Sequence, residues 1–265
     1  MKQENSSLRK KTNSDPWLRL KQFTSARIGL GRSGVGIPTK EFLEFQMAHA
    51  KARDAVLTQI DFRPIQKWLN KQKILNLELE SACADRQIYL TRPDLGRILS
   101  QDSKKKFKTK PSLQTSKQSQ ISISLVVVDG LSSSALDNNI IPLFQLLLPE
   151  LKKKFRIAPI SLVKNGRVAI GDEISFLQKT DICIVLIGER PGLSSPDSLG
   201  IYLTYKTKPG TTDERRNCIS NIRKGGMDYP LAVKKILYLV EESLRKKISG
   251  VNLKDNLIGE EVSLR

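Results

Sequence analysis

The run Ile182-Cys183-Ile184-Val185-Leu186-Ile187 constrains the fold more than any other stretch of the chain. A strand with one wet face alternates apolar and polar residues, so a continuous apolar run ended by Gly188 and Pro191 reads as a strand buried on both faces. A second run of this kind, Leu125-Val126-Val127-Val128, completes the alternating segment Ile121-Ser122-Ile123-Ser124. Helical patterns stand between and after these strands. Leu136, Ile140, Leu143 and Leu147 form one stripe of a helix that Ser132, Ser133 or Ser134 can cap and that Pro142 is expected to kink or break. A short helix is predicted over about 172–178 and a long one over 229–248, with Ala232, Ile236, Leu239 (or Val240) and Leu244 turned inward. Further strands are predicted near 156–163 and at 201–205. Strands alternating with helices predict an α/β class with a Rossmann-like, three-layer, mostly parallel sheet. Right-handed crossovers would set the loops at Asp129, Gly188 and Val168 along its carboxyl edge, where open sheets bind ligands. The loop 188–200 is therefore a ligand loop in this reading.

The N-terminal half reads as helical. Asp15-Pro16 is a cap followed by a first-turn proline, and Trp17, Leu20 and Phe23 recur at helical spacing. Residues 29–36 formally contain GxGxxG, but no strand leads into it, so it reads as a helix–helix connection and not a dinucleotide site. Thr39 can cap a helix to about Ile60, with Phe42, Phe45, His49, Ala52 and Val56 on one face. Helical patterning continues over 62–99 and ends in Tyr89-Leu90-Thr91-Arg92-Pro93-Asp94-Leu95-Gly96-Arg97, a turn shaped by Pro93 and Gly96. The expected organisation is a disordered tail (1–14), a small helical N-terminal domain (15–100), a Lys/Ser-rich linker (101–120), an α/β domain (121–255) and a tail (256–265).

The formal charge of +18 makes a basic nucleic acid-binding protein the alternative reading. The position of the charge argues against it. Residues 1–27 and 101–120 together carry +10 of that +18, in stretches with few packing residues. Aromatic residues are 6% of the chain and do not interleave with the basic runs, so no stacking platform for single strands is present. No apolar run is long enough to span a bilayer, and the first residues lack the apolar core of a secretory signal; neither membrane nor secretion is expected. Cys83, Cys183 and Cys218 are far apart and odd in number, which fits a reducing cytoplasm.

No catalytic constellation is complete. His49 is the only histidine, and the chain holds no GxSxG, HExxH or P-loop. Asp129 reads as a turn or capping carboxylate. Glu189 could pair with Arg190 or Arg223, or stand as an acceptor at the sheet edge. Cys218 lies among arginines, in Arg215-Arg216-Asn217-Cys218, with no base beside it, so contact or packing suits it better than reactivity.

Taken in order, Thr24-Ser25-Ala26-Arg27-Ile28, Gly31-Arg32-Ser33-Gly34, His49-Ala50-Lys51-Ala52-Arg53-Asp54, Tyr89-Leu90-Thr91-Arg92-Pro93-Asp94-Leu95-Gly96, Val127-Val128-Asp129-Gly130-Leu131-Ser132, Gly166-Arg167-Val168, Gly188-Glu189-Arg190-Pro191-Gly192-Leu193 and Arg216-Asn217-Cys218-Ile219-Ser220-Asn221-Ile222 resemble the ethanolamine ammonia-lyase small (light) subunit family. The resemblance implies a subunit of an adenosylcobalamin enzyme that converts ethanolamine to acetaldehyde and ammonia by a radical mechanism. It implies that a large subunit holds ethanolamine and the chemistry. The small subunit would then be non-catalytic, closing over the cofactor and helping to build the hetero-oligomer, in the cytoplasm or a bacterial microcompartment. Val168, Glu189 and Cys218 match the positions the family uses for cobalamin. The D-x-H-x-x-G motif by which some other cobalamin proteins place a histidine under cobalt is absent. Ala48 stands before His49 where the family often has Asp.

Overall fold

The structure is a computed structural model that describes residues 16–24, 26–109 and 120–255. The expected tails at 1–14 and 256–265, and the segment 110–119 of the expected linker, lie outside the described residues. The chain divides into two compact units, residues 1–51 and 52–265.

In the first unit, Pro16–Phe23 is a 3-10 helix, tied by the Lys21–Glu41 ion pair (3.2 Å) to helix α1 (Thr39–Leu57), which begins here. Over 29–36, Ser33 and Gly36 bond to each other in a tight turn (3.0 and 3.1 Å). A 3-10 helix and not a strand precedes that turn, so its glycines do not open a dinucleotide site. His49 stacks on Phe45, ring centroids 6.4 Å apart.

The second unit is mixed α/β around one sheet. Its strands are β1 (Asn76–Glu80), β2 (Ser122–Val128), β3 (Arg156–Ile157), β4 (Ile160–Lys164), β5 (Ile182–Gly188), β6 (Leu199–Tyr205) and β7 (Asn217–Ile222). They run in the order β1-β4-β2-β5-β6-β7, with β3 beside β2. The pairs from β1 through β5 are parallel, whereas β5–β6 and β6–β7 are antiparallel. Both apolar runs identified in the sequence occupy the middle, and every residue of β2 and β5 is buried.

The twofold alternation of a strand divides these residues between two cores. Ile123, Leu125, Val127, Ile182, Ile184 and Leu186 face one, built with α2 (Arg63–Lys71), α5 (Ser133–Lys154) and α7 (Tyr229–Lys246). Val126, Val128, Cys183, Val185 and Ile187 face the other, with Phe107 of α4 (Gln101–Thr109) and Ile170 and Ile174 of α6 (Ile170–Gln178). Within the stretch expected to be helical, α3 (Arg86–Thr91) is a short helix capped by Asp85, whose carboxylate accepts from Ile88 N at 2.8 Å.

The structure departs from three expectations. The stretch 62–99 is not helical throughout, because Asn76-Leu77-Glu78-Leu79-Glu80 alternates and joins the sheet edge as β1 with Leu79 fully buried. The expected linker is helical over its first nine residues. Ser100 Oγ accepts from Ser103 N (3.1 Å) at the start of α4, and Phe107 is 1% exposed. Three of its lysines are engaged, Lys104 with Glu173 (2.8 Å), Lys105 with Asp102 (3.0 Å) and Lys106 with the Glu78 carbonyl (2.8 Å). Third, α5 runs through Pro142 and Pro149 without a break, capped by Ser132, whose Oγ accepts from Ala135 N (3.3 Å). The apolar stripe of α5 packed on the sheet outweighs the hydrogen bonds lost to proline. Among the described residues, no helix is long and apolar enough to cross a membrane.

Candidate functional site

The carboxyl ends of β2, β4 and β5 open onto a cavity of about 710 Å³. Gly130 and Leu131 after β2, Arg167 and Val168 after β4, and Glu189 and Arg190 after β5 line it. Tyr202 of β6 and Cys218 of β7 close one side; they are register partners across the β6–β7 pair. Val168, Glu189 and Cys218, separate in sequence, thus share one cavity of a size usual for ligand clefts.

Each wall is held by bonds that the sequence does not spell out. Asp129, 2% exposed, is the anchor of the β4 loop. Its carboxylate accepts from Asn165 N (2.9 Å) and Gly166 N (3.1 Å) and from Arg86 Nη1 (3.2 Å), fixing the turn that delivers Val168. This is the turn role expected of Asp129. Burial pushes its pKa up to about 6, with Arg86 and the backbone donors pulling the other way.

The segment 89–97 braces the same loop from outside. Arg167 N donates to Gly96 O (2.7 Å), and a Cβ on Gly96 would stand 2.8 Å from Arg167 Cγ, so only glycine fits. The Arg167 guanidinium lies over the Tyr89 ring at 4.3 Å and donates from Nη2 to the Tyr89 carbonyl (3.1 Å), while Arg86 lies 4.6 Å from the same ring. The motif singled out at Tyr89-Leu90-Thr91-Arg92-Pro93-Asp94-Leu95-Gly96 is therefore a support for the Val168 loop.

Glu189 pairs with neither Arg190 nor Arg223. Its carboxylate accepts from Ser198 Oγ and from Asn221 N (3.2 Å), and its own N–H donates to the Ser198 carbonyl (2.9 Å). A Cβ on Gly200 would lie 2.8 Å from Glu189 Oε1, so the glycine at that position of β6 makes room for the carboxylate. Both bonds come from neutral donors, which leaves the Glu189 carboxyl oriented and with room to accept further hydrogen bonds.

Cys218 keeps its proton. Desolvation pushes its thiol up from the ordinary value, the hydrogen bond with Tyr202 acts against this, and the Glu189 carboxylate adds to it. The arginines beside it in sequence do not activate it, since Arg216 is turned away. Arg216 forms a buried fork with Asp172 (Nη1–Oδ1 and Nη2–Oδ2, both 2.7 Å) and donates from Nε to Asp213 Oδ1 (2.9 Å). That fork pins the start of β7 to α6. Cys218 is a neutral, soft contact. Cys183, also a thiol pushed up by burial, donates to the Gly171 carbonyl inside the core (3.3 Å).

Sequence reasoning passed over Tyr202, Arg167, Arg97 and Arg190 as cavity residues. Tyr202 carried only a weak signal, an aromatic in the middle of a predicted strand, because its place opposite Cys218 depends on the β6–β7 register. Arg97 carried none, because the segment that bears it was read as part of another domain.

The profile described as "Ethanolamine ammonia-lyase light chain (EutC)" matches residues 14–254. The chain belongs to the ethanolamine ammonia-lyase light-chain family. It is 47% identical over 242 residues to the ethanolamine ammonia-lyase small subunit of Pseudomonas fluorescens strain Pf0-1, covering 91% of this chain and 87% of that one. It is 46% identical over 242 residues to the small subunit of Pseudomonas aeruginosa strain LESB58 (91% and 88% covered). It is 44% identical over 248 residues to that of Azotobacter vinelandii (93% and 91%). The light-chain match spans both compact units, and every residue of the cleft lies within it.

Proposed function

We propose that this chain is the small subunit of an adenosylcobalamin-dependent ethanolamine ammonia-lyase and that its cleft forms one wall of the cobalamin site. The observation that carries the reading is the convergence of Val168, Glu189 and Cys218 on one cavity at the carboxyl edge of the sheet. The chemistry of the lining suits a corrinoid, whose rim is a ring of neutral amides around an apolar macrocycle. Glu189, held by two neutral donors, accepts from a propionamide N–H. The Val168 loop offers apolar and backbone contact, and the protonated Cys218 offers a small polarizable surface. The cavity is smaller than a corrin with its nucleotide, so a second wall is required, and a large subunit supplies it.

Bound there, adenosylcobalamin supplies the radical chemistry that turns ethanolamine into acetaldehyde and ammonia. This chain's residues bind and orient. They present no acid, base or nucleophile of their own to substrate, which is held by the large subunit, and the light chain helps to assemble the hetero-oligomer. In the cell the complex is placed in the cytoplasm or a bacterial microcompartment.

The test is the complex formed by co-expression with a competent large subunit. Glu189→Ala is expected to weaken cobalamin affinity about tenfold, the loss of one charge-assisted hydrogen bond. Unchanged affinity would remove Glu189 from the site. Absence of cobalamin-dependent acetaldehyde from the wild-type mixture would sink the reading as a whole.

A further inference from the structure

Four arginines line the cleft: Arg97, Arg167, Arg190 and Arg216. Two are already committed. Arg216 is neutralised by Asp172 and Asp213, and Arg167 lies on the Tyr89 ring and bonds its carbonyl. Arg97 and Arg190 are exposed residues, and their side chains have neither a hydrogen-bond nor an ion-pair partner among the described residues. Acids are not scarce nearby, since Asp94, Asp172, Glu173 and Asp213 line the adjoining hollow that Arg97 also borders. Each of those carboxylates has another cation: Arg92 for Asp94 (2.7 Å), Arg216 for Asp172 and Asp213, and Lys104 for Glu173. On the other side, Glu189 is held by Ser198 and Asn221, so it does not neutralise the neighbouring Arg190. The cleft therefore carries two uncompensated positive charges at its rim.

Neutral corrin amides do not call for two free cations. A cobalamin carries one anionic group on its periphery, the phosphodiester of the nucleotide tail, and a fork of N–H donors matches phosphate oxygens closely. We propose that Arg97 and Arg190 form the subsite for that phosphodiester, so that this chain reads the nucleotide tail and not only the corrin. The inference rests on the cobalamin reading above. It adds a specificity: the chain distinguishes a complete cobalamin from a corrinoid that lacks the nucleotide.

The deciding experiment measures binding of cyanocobalamin and of cobinamide, which has no nucleotide or phosphodiester, to the assembled two-subunit complex by absorption titration. Arg97→Ala and Arg190→Ala are each expected to raise the cyanocobalamin Kd about tenfold while leaving the cobinamide Kd unchanged. Arg190→Lys is expected to recover part of the loss, because it keeps the charge without the fork. Arg97→Gln, with circular dichroism and gel filtration of the complex, separates lost binding from lost folding. Equal loss for both corrinoids, or loss for neither, overturns the subsite. So does a variant that fails to assemble with the large subunit before cofactor is added, which would give the arginines to carboxylates of the partner. A wild-type complex that binds neither corrinoid overturns the cobalamin reading itself, and the subsite with it.

Discussion

Asp129 concentrates the energetic tension of the site in one carboxyl. It is buried, yet it receives two backbone donors and Arg86, so its ionised form is neither cheap nor unsupported. With its pKa raised to about 6 in the folded chain against an ordinary value of 3.8, the native state holds a proton that the unfolded state releases earlier. The sign follows from linkage. The contribution is fully present below about pH 4, falls as pH rises toward about 6, and is flat above, with a span of about 3 kcal/mol at most. Asp129→Asn removes that titration. The stability difference between wild type and Asp129→Asn, from urea unfolding between pH 4 and 7.5, is therefore expected to move against the wild type over that window. A difference that does not change with pH would show that the carboxylate is ionised throughout.

At the scale of elements, the fork between Arg216 and Asp172 decides where β7 lies. Both side chains are 3% exposed, and Arg216 also holds Asp213 and the Thr211 carbonyl (2.8 Å). Removing one member of a buried pair strands the other charge, so Arg216→Met is expected to cost about 3–5 kcal/mol in urea unfolding. Asp172→Leu combined with Arg216→Met should return much of that loss, because no uncompensated charge remains. A single-variant cost under about 1 kcal/mol would mean that the fork is solvated.

The same scale shows what was legible in the sequence. Strands β2 and β5 declared themselves as apolar runs, since burial on both faces leaves no polar alternation. The edge strand β1 did not, because five residues with two inward leucines fit a helix turn as well as a strand. Helix α4 was hidden by its lysines, and only Phe107 signalled a buried side. Loop positions at the sheet edge follow from the order of strands. The bonds that orient Glu189 come from Ser198 and Asn221, and their meeting depends on the register and bulge of β6 against β7, which no spacing in the sequence states.

For the whole molecule, the arrangement separates a rigid base from a rim that can respond. Strands β2 and β5 are flanked on both sides and covered on both faces, whereas the cleft residues sit on the loops after β2, β4 and β5 and toward the β6–β7 edge. Amide exchange should reflect that division, because protection rises with buried, paired backbone and falls where local opening breaks few contacts. In the assembled complex, β2 and β5 are expected to be slowest, and 165–169, 189–190 and 217–218 markedly faster. Adding cobalamin should then slow exchange in those three rim segments and leave α2 and β1, on the far side of β4, unchanged. The three segments lie far apart in sequence but border one cavity, so a ligand there must protect them together, at one cofactor concentration. Protection confined to one segment, or appearing first around α2, would show that the cofactor meets this chain at another surface.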